Sequence, residues 1–442
     1  MSDDNKKKLG EQLIRCILDD KLSNDKKLRK MDYIIRLGAD INAECGLGFS
    51  VLNLAKMAGN EDVIRFLEER GADKDFGFDS KKAEDFFKSA SVEEINKALE
   101  VLPDGYELDC NVDLSERGLT ELPDFSRLVV LGRFNCCENP LVTLSGAPKE
   151  VIGSFACDDC ELISLEGAPR KVGYSFACQN NKLVSLRGAP EKVGGDFCID
   201  INPLESLEGA PREVGGNFDC SDLMLTSLEG APIKVGGNFY CKNNENLTSL
   251  EGAPREVGGD FDCRGLKLTS LEGGPVSVGG YFDCRENNLT SLKGAPIKVG
   301  GNFYCSFIEN LISLEGAPRE VGGDFDCRGL KLTNLEGAPI KVGGRFDCGG
   351  NPLTSLRGAP REVGEDFRCD ENGDVSLDGA PDVIGREFRV YIGKFLKDRP
   401  RRRPRSYPIS LERTTVCLDE ISKKEMNKRL LDEFIQQERD ME

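Results

Sequence analysis

Eighteen cysteines and no histidine set the chemical repertoire of this sequence. Without imidazole there is no His-dependent triad and no His-ligated zinc, so a general base would have to come from Asp, Glu or Lys. Thiol chemistry is what remains. The "CDDC" at Cys157–Cys160 has the spacing of half a zinc site, but with no second such pair the signal is weak. "VCLDE" at 416–420 sets Cys417 two residues before Asp419. Most other cysteines sit in one recurring frame, F-x-C, as at Cys178, Cys220 and Cys263. Whether that frame serves packing, disulfides or metal depends on the element that carries it.

The element is a repeat. A "GAP"-type tripeptide ends in Pro148, Pro169, Pro190, Pro211, Pro232, Pro254, Pro275, Pro296, Pro318, Pro339, Pro360 and Pro381, in steps of 21 with two of 22. Counting from each proline, Val follows at three, Phe at seven and Cys at nine, and then a pair of leucines such as Leu268 and Leu271. One period reads V-G-G-x-F-x-C-x-x-x-x-L-x-S-L-x-G-A-P-x-x. Alternation puts Phe and Cys on one face of a short strand. Glycine and proline break helices and make tight bends. One such coil cannot bury its own apolar face. Stacked coils bury Phe on Phe, Cys on Cys and Leu on Leu, at roughly 1.5–3 kcal/mol per large side chain. At about 4.8 Å per coil the stack runs roughly 60 Å.

The repeat interprets the thiols. In "GGDFCID" the cysteine slot holds Ile199, with Cys198 displaced to the outward side, and in the last coil the slot holds Val390. A position that accepts Cys, Ile or Val asks for a small apolar body. Side chains in a parallel ladder also suit the torsion of a disulfide badly. Reduced core thiols are the favoured reading, with a disulfide or a metal as alternatives. The segments Leu228–Gly273 and Leu292–Gly337 are near-copies, 64 residues apart, differing at six of 46 positions. This reads as a duplication of three coils, which a solenoid tolerates because each coil touches only its neighbours.

These motifs resemble a leucine-rich repeat. "VDLSERGLTELPDFSRLVVL" at 112–131 is similar to one, and Phe346–Leu356 is similar to its strand-and-asparagine segment. The coil length looks like that of the short leucine-rich repeats of bacterial effectors. Departures are Phe in place of the usual leucine, "GAP" in place of the usual prolines, and Leu223 and Leu266 in the asparagine slot. The resemblance implies a leucine-rich-repeat-like parallel β solenoid of about 13 coils over 112–391.

Two flanks remain. "GADINAECGLGFSVLNLAKMAGNEDVIRFLEERGAD" at Gly38–Asp73 resembles an ankyrin repeat, with Asn53 where that family has His. The expectation is an ankyrin-like helical region at 1–75 and a helical connector and cap at 76–111, where Ser91 and Glu94 form a capping box. The region either caps the first coil or binds a partner itself. After Pro360 the array decays, with Asp374 in a leucine slot. A basic Pro/Arg linker follows at 392–416, with seven basic residues between Lys394 and Arg405, then an amphipathic helix at 417–442 with Leu430, Leu431, Phe434 and Ile435 on one stripe. The basic stretch reads as a solvated linker, with nuclear localisation or anionic-lipid binding as alternatives.

Function is then expected on the outward strand residues beside Phe and Cys. The candidate partner-binding set is Asp219, Tyr240, Asp260, Asp262, Arg264, Tyr281, Asp283, Arg285, Tyr304, Asp324, Asp326, Arg328 and Asp347. Acidic columns edged by arginine, with three tyrosines between, suit a protein partner with basic patches. The plain alternative is a solvated, aggregation-resistant strand face. The expectation is a non-catalytic interaction scaffold with no cofactor, metal or small-molecule substrate, possessing the look of a host-directed effector. The net charge of -18 disfavours nucleic acid, and no run of 18 apolar residues spans a bilayer. No secretory signal is visible, so a reducing compartment is expected: the cytoplasm or a host cytosol, with the nucleus open through the basic linker. Related effectors can carry a ubiquitin-ligase nucleophile in a C-x-D motif. That resemblance makes Cys417 the alternative, enzymatic reading, although the residues after it are too few for such a domain.

Overall fold

A computed structural model of the chain describes residues 3–19, 21–45, 47–73, 78–373 and 375–390, and the backbone of 415–417. It divides into two compact units, Met1–Gly195 and Asp196–Glu442. The expectations for Asp374, for the basic linker and for the C-terminal helix lie outside the described residues, apart from the backbone of 415–417.

The first unit opens with six helices: α1 (Asp3–Leu18), α2 (Asn24–Arg36), α3 (Val51–Met57), α4 (Glu61–Glu69), α5 (Ser80–Ser89) and α6 (Val92–Leu99). Four of them, α3 to α6, start on side-chain caps, from Ser50, Asn60, Asp79 and Ser91. Ser50 and Asn53 form a capping box on α3, so the residue at the ankyrin histidine position closes a helix end here. Ser91 and Glu94 do the same on α6. α1 packs on α2, α3 on α4, and α5 on the strand Val112–Asp113.

The join to the first coils is polar and specific. Arg117 donates to the carbonyls of Phe87, at 2.7 Å, and Ala90 at the end of α5. Arg127 donates to those of Leu99, at 2.6 Å, and Leu102 at the end of α6. Two arginines of the first coils thus satisfy carbonyls that the helix ends leave open. The rings of Phe87, Phe125 and Phe134 continue the contact in sequence, at 5.6 and 5.2 Å between centroids.

Each coil contributes two short strands, a Val strand such as Glu256–Val257 and a Phe strand such as Phe261–Asp262. In the second unit both kinds pair in parallel and in register, Val235↔Val257↔Val278 and Phe239↔Phe261↔Phe282. Register at this fidelity stacks the rings, with centroids 5.2–5.5 Å apart from Phe218 to Phe388. The close spacing explains the glycines. A Cβ on Gly279 would stand 2.1 Å from the carbonyl oxygen of Gly258, and one on Gly322 equally close to that of Gly300.

The cysteines are core. Ladder thiols from Cys136 to Cys369 are buried and unbridged. Several donate to the carbonyl of the next coil: Cys220 to Tyr240 at 3.2 Å, Cys263 to Asp283 at 3.2 Å, Cys284 to Tyr304 at 3.3 Å. Ile199 fills the slot in its own coil and is fully buried, while Cys198 lies half-exposed beside it. Burial pushes the thiols of Cys220, Cys263 and Cys284 well above their ordinary value, so they stay protonated and unreactive.

Corners follow the asparagine pattern. Asn244 Nδ2 donates to the carbonyls of Cys220 and Cys241, both at 2.9 Å, and its Oδ1 accepts from Leu225 N. Asn287 and Asn351 repeat the arrangement. Cys160 takes this slot in its coil, donating Sγ to the carbonyl of Cys136 at 3.4 Å. "CDDC" is therefore a ladder thiol followed by a corner thiol. Among the described residues no group of three or more Cys, Asp or Glu is placed to hold a metal.

The last described coil strand, Glu387–Val390, pairs in parallel with Phe367–Cys369 and antiparallel with Thr415–Cys417, at the boundary expected between linker and terminal helix. Among the described residues no helix is long and apolar enough to cross a membrane.

Candidate functional site

The second unit places all thirteen expected residues on the outer face of its Phe strands. Asp219, Tyr240, Asp262, Asp283, Tyr304, Asp326 and Asp347 are ladder partners in one column, one per coil. Arg264, Arg285 and Arg328 stand two residues further along, hence on the same side of the strand. Asp260, Tyr281 and Asp324 stand on the other flank, one residue before Phe.

Their environments differ from an open acidic surface. Asp262 and Asp283 are 1% and 2% exposed, and Asp326 and Asp347 are buried as well. Each arginine folds back over the aspartate two residues before it. Arg264 donates Nε and Nη2 to Asp262 at 2.9 and 2.7 Å. Arg285 donates to Asp283 at 2.9 and 2.6 Å, and Arg328 to Asp326 at 2.9 Å twice. Arg264 also reaches Asp283 of the next coil, with Nε 3.3 Å from Oδ2. These hydrogen bonds raise all three guanidinium values further above an already permanent charge. The carboxylates thus form a lower layer and the guanidiniums an upper one.

The flanking column has a structural task as well. Asp260 Oδ1 accepts from Tyr281 N, and Asp324 Oδ1 from Arg345 N, both at 2.7 Å. Asn217 and Asn238 do the same for the coils that follow them, at 2.8 and 2.7 Å. The aromatic members touch one another and the arginine column. Tyr281 and Tyr304 rings meet at 6.1 Å, and the Arg285 guanidinium lies 5.1 Å from the Tyr304 ring centre. Burial, followed by the nearby carboxylates of Asp262 and Asp260, pushes the Tyr281 phenol up to about 12.

Two neighbours of the face were not in the expected set. Phe307 and Ile312 are 67% and 64% exposed in the coil of Tyr304. Phe307 occupies the left-handed turn position that follows the arginine column, with φ of 58°. A signal for them existed in the sequence, in the identity of the substitutions between the two near-copies. In the first unit, a shallow depression of about 580 Å³ is lined by Glu138, Asn139, Pro140, Asp159, Cys160 and Glu161. Lys182 already pairs with its Glu161 at 3.2 Å.

No protein-family model matches the chain, and no curated protein does. Among solved structures the chain is similar to YopM from Yersinia enterocolitica WA-314, at 17% sequence identity over 60% of this chain and 78% of that one, with a TM-score of 0.22. The coil geometry described above gives the classification: the chain is a repeat protein, a parallel β solenoid of about 13 coils with helices at its N-terminus.

Proposed function

We propose that this chain is a non-catalytic scaffold that binds a protein partner on the Phe-strand face between 217 and 347. The observation that carries the reading is the two-layer arrangement, in which buried aspartates hold arginines in fixed orientations beside tyrosines. Arginine and tyrosine dominate the energetics of protein interfaces. A guanidinium held in advance loses less freedom on binding. Asp262, Asp283 and Asp326 are turned inward onto their own arginines, which leaves Asp219, Asp260 and Asp324 as the half-exposed carboxylates that a partner with basic patches would meet. The N-terminal helices, ankyrin-like in sequence, act in this reading as a cap bonded to the first coil. The protein works in a reducing compartment such as a host cytosol, where its protonated core thiols persist. No observation favours ligase chemistry at Cys417, whose side chain lies outside the described residues.

Cross-linking with the full chain in a cell lysate, followed by mass spectrometry, tests the reading. Tyr281→Ala with Tyr304→Ala should lose the captured partner, and Lys234→Ala with Lys298→Ala, on the Val strands, should keep it. Retention by the tyrosine variant, or loss by the lysine variant, would overturn the assignment.

A further inference from the structure

The duplicated block is an internal control. Leu228–Gly273 and Leu292–Gly337 differ as Glu229/Lys293, Lys242/Ser306, Asn243/Phe307, Asn244/Ile308, Thr248/Ile312 and Ser270/Asn334. Four of the six changes fall within seven residues, and three of those turn polar to apolar. Ile308 goes to the core, 1% exposed, which packing explains. Phe307 and Ile312 go to solvent, which packing does not explain.

Backbone geometry sharpens the contrast. Asn243 and Phe307 share a φ of 58°. Asparagine tolerates that left-handed conformation, while a bulky side chain meets its own backbone there. Asn243 also donates to Asp222 at 3.1 Å. Phe307 has instead a flat seat: its ring lies over Gly329, where a Cβ would come 2.4 Å from Cδ1. Lys242 of the first copy is replaced by Ser306, whose hydroxyl drops onto Asp326 at 3.0 Å and leaves the ring uncovered. An unfavourable turn residue whose ring is seated on one side and open to solvent on the other marks a contact made with something else.

The charges beside it indicate what that is. Side chains of Arg264, Arg285 and Arg328 are 34%, 35% and 47% exposed, above aspartates that are nearly sealed. Nε and Nη2 bind those aspartates, and Nη1 has no acceptor among the described residues, so each guanidinium keeps an outward donor edge. The Arg328 guanidinium is 5.9 Å from the Phe307 ring centre. Exposed carboxylates near this row are Glu286, in the turn slot one coil earlier, and Glu309, two residues after Phe307, with Asp260 and Asp324 half-exposed on the other flank.

We propose that the coils from Phe261 to Arg328 grip an acidic segment of a protein partner, its carboxylates on the outer edges of Arg264, Arg285 and Arg328 and one apolar side chain seated on Phe307. The proposal rests on the scaffold reading and adds the partner's charge and its anchor. Short synthetic peptides carrying one phenylalanine flanked by glutamates, by lysines or by serines, titrated against the full chain by fluorescence anisotropy, test it. The glutamate peptide should bind at least about tenfold tighter than the lysine peptide. Phe307→Asn with Ile312→Thr should weaken it at least about tenfold, with Tm unchanged or raised, because the first copy already folds with those residues. Preference for the lysine peptide, no binding by any peptide, an affinity unmoved by the double variant, or Phe307-dependent self-association in sedimentation would each overturn the proposal. If the tyrosine variant loses its captured partner and the Phe307 variant keeps it, this inference fails and the scaffold stands. If both keep it, the scaffold reading fails too.

Discussion

Asp326 and Asp347 occupy the same slot in adjacent coils, as direct ladder partners, and differ in the side chains that reach them. Burial pushes the Asp326 carboxyl up, but hydrogen bonds from Arg328 and Ser306 outweigh it and hold the carboxyl below its ordinary value. Asp347 has Gly349 where Asp326 has Arg328. It accepts from Gly349 N at 3.2 Å and lies 3.6 Å from Arg328 Nε, and burial leaves it raised. A lowered carboxyl favours folding above the unfolded value, near 4, and that contribution fades as pH falls through the lower folded value. A raised one opposes folding while ionised, and the penalty lifts as pH falls through its folded value. Asp326→Asn should therefore destabilise by about 1–3 kcal/mol near neutrality, with the loss shrinking in acid. Asp347→Asn should be neutral or stabilising near neutrality, with no advantage in acid. Urea unfolding at both pH values reads the two signs. The thiols give a second residue-scale expectation. Iodoacetamide on the native chain should modify half-exposed Cys198 well before Cys220, Cys263 or Cys284, as peptide mapping would show; equal labelling would contradict the buried ladder.

At the scale of the coil, two positions answer to different physics. The cysteine slot is a matter of volume, so Cys263→Val should cost less than about 1.5 kcal/mol, as Ile199 and Val390 in the same slot suggest. The glycine before the Phe strand is a matter of distance. Gly279→Ala should cost about 1–3 kcal/mol, since its methyl meets the Gly258 carbonyl and the coils would have to part. Denaturant midpoints of the two variants separate the cases. Both positions are legible in the sequence, as a slot that varies among small apolar residues and a slot that almost never leaves glycine. The asparagine slot is less so. Asn244 bridges two coils through their cysteine carbonyls, while Leu223 and Leu266 fill the same slot with apolar bulk. Nothing in the spacing says which coils use hydrogen bonds and which use packing.

For the molecule as a whole, nearest-neighbour stacking makes coil number a variable. Removing 274–337 joins Gly273 to Ala338 and restores the "GAP" frame without a break. The shortened chain should fold, with unchanged circular dichroism per residue and a smaller urea m-value, because less surface is exposed on unfolding. Aggregation or loss of strand signal would show that the coils depend on more than their neighbours. The arginines that close α5 and α6 belong to this scale too. Nothing in the spacing singles out Arg117 and Arg127, and only the approach of the helix ends gives them their acceptors.

What the amino-acid order determined alone is the coil: its period, its parallel stacking, and the inward set of Val, Phe, Cys and Leu. Each is fixed by short-range alternation and by glycine geometry, which repeat identically in every coil. It also assembled the thirteen face residues, because a period of two assigns a side to every strand residue. Tertiary structure decided the character of that face. Alternation says that Asp262 and Arg264 share a side; it does not say that one closes over the other. That outcome depends on the lateral gap between coils, on walls supplied by Tyr281 and Tyr304, and on Asp283 one coil away, all of which are set by residues distant in the chain. The same reasoning applies to Phe307, whose seat on Gly329 exists only once the next coil is stacked beside it.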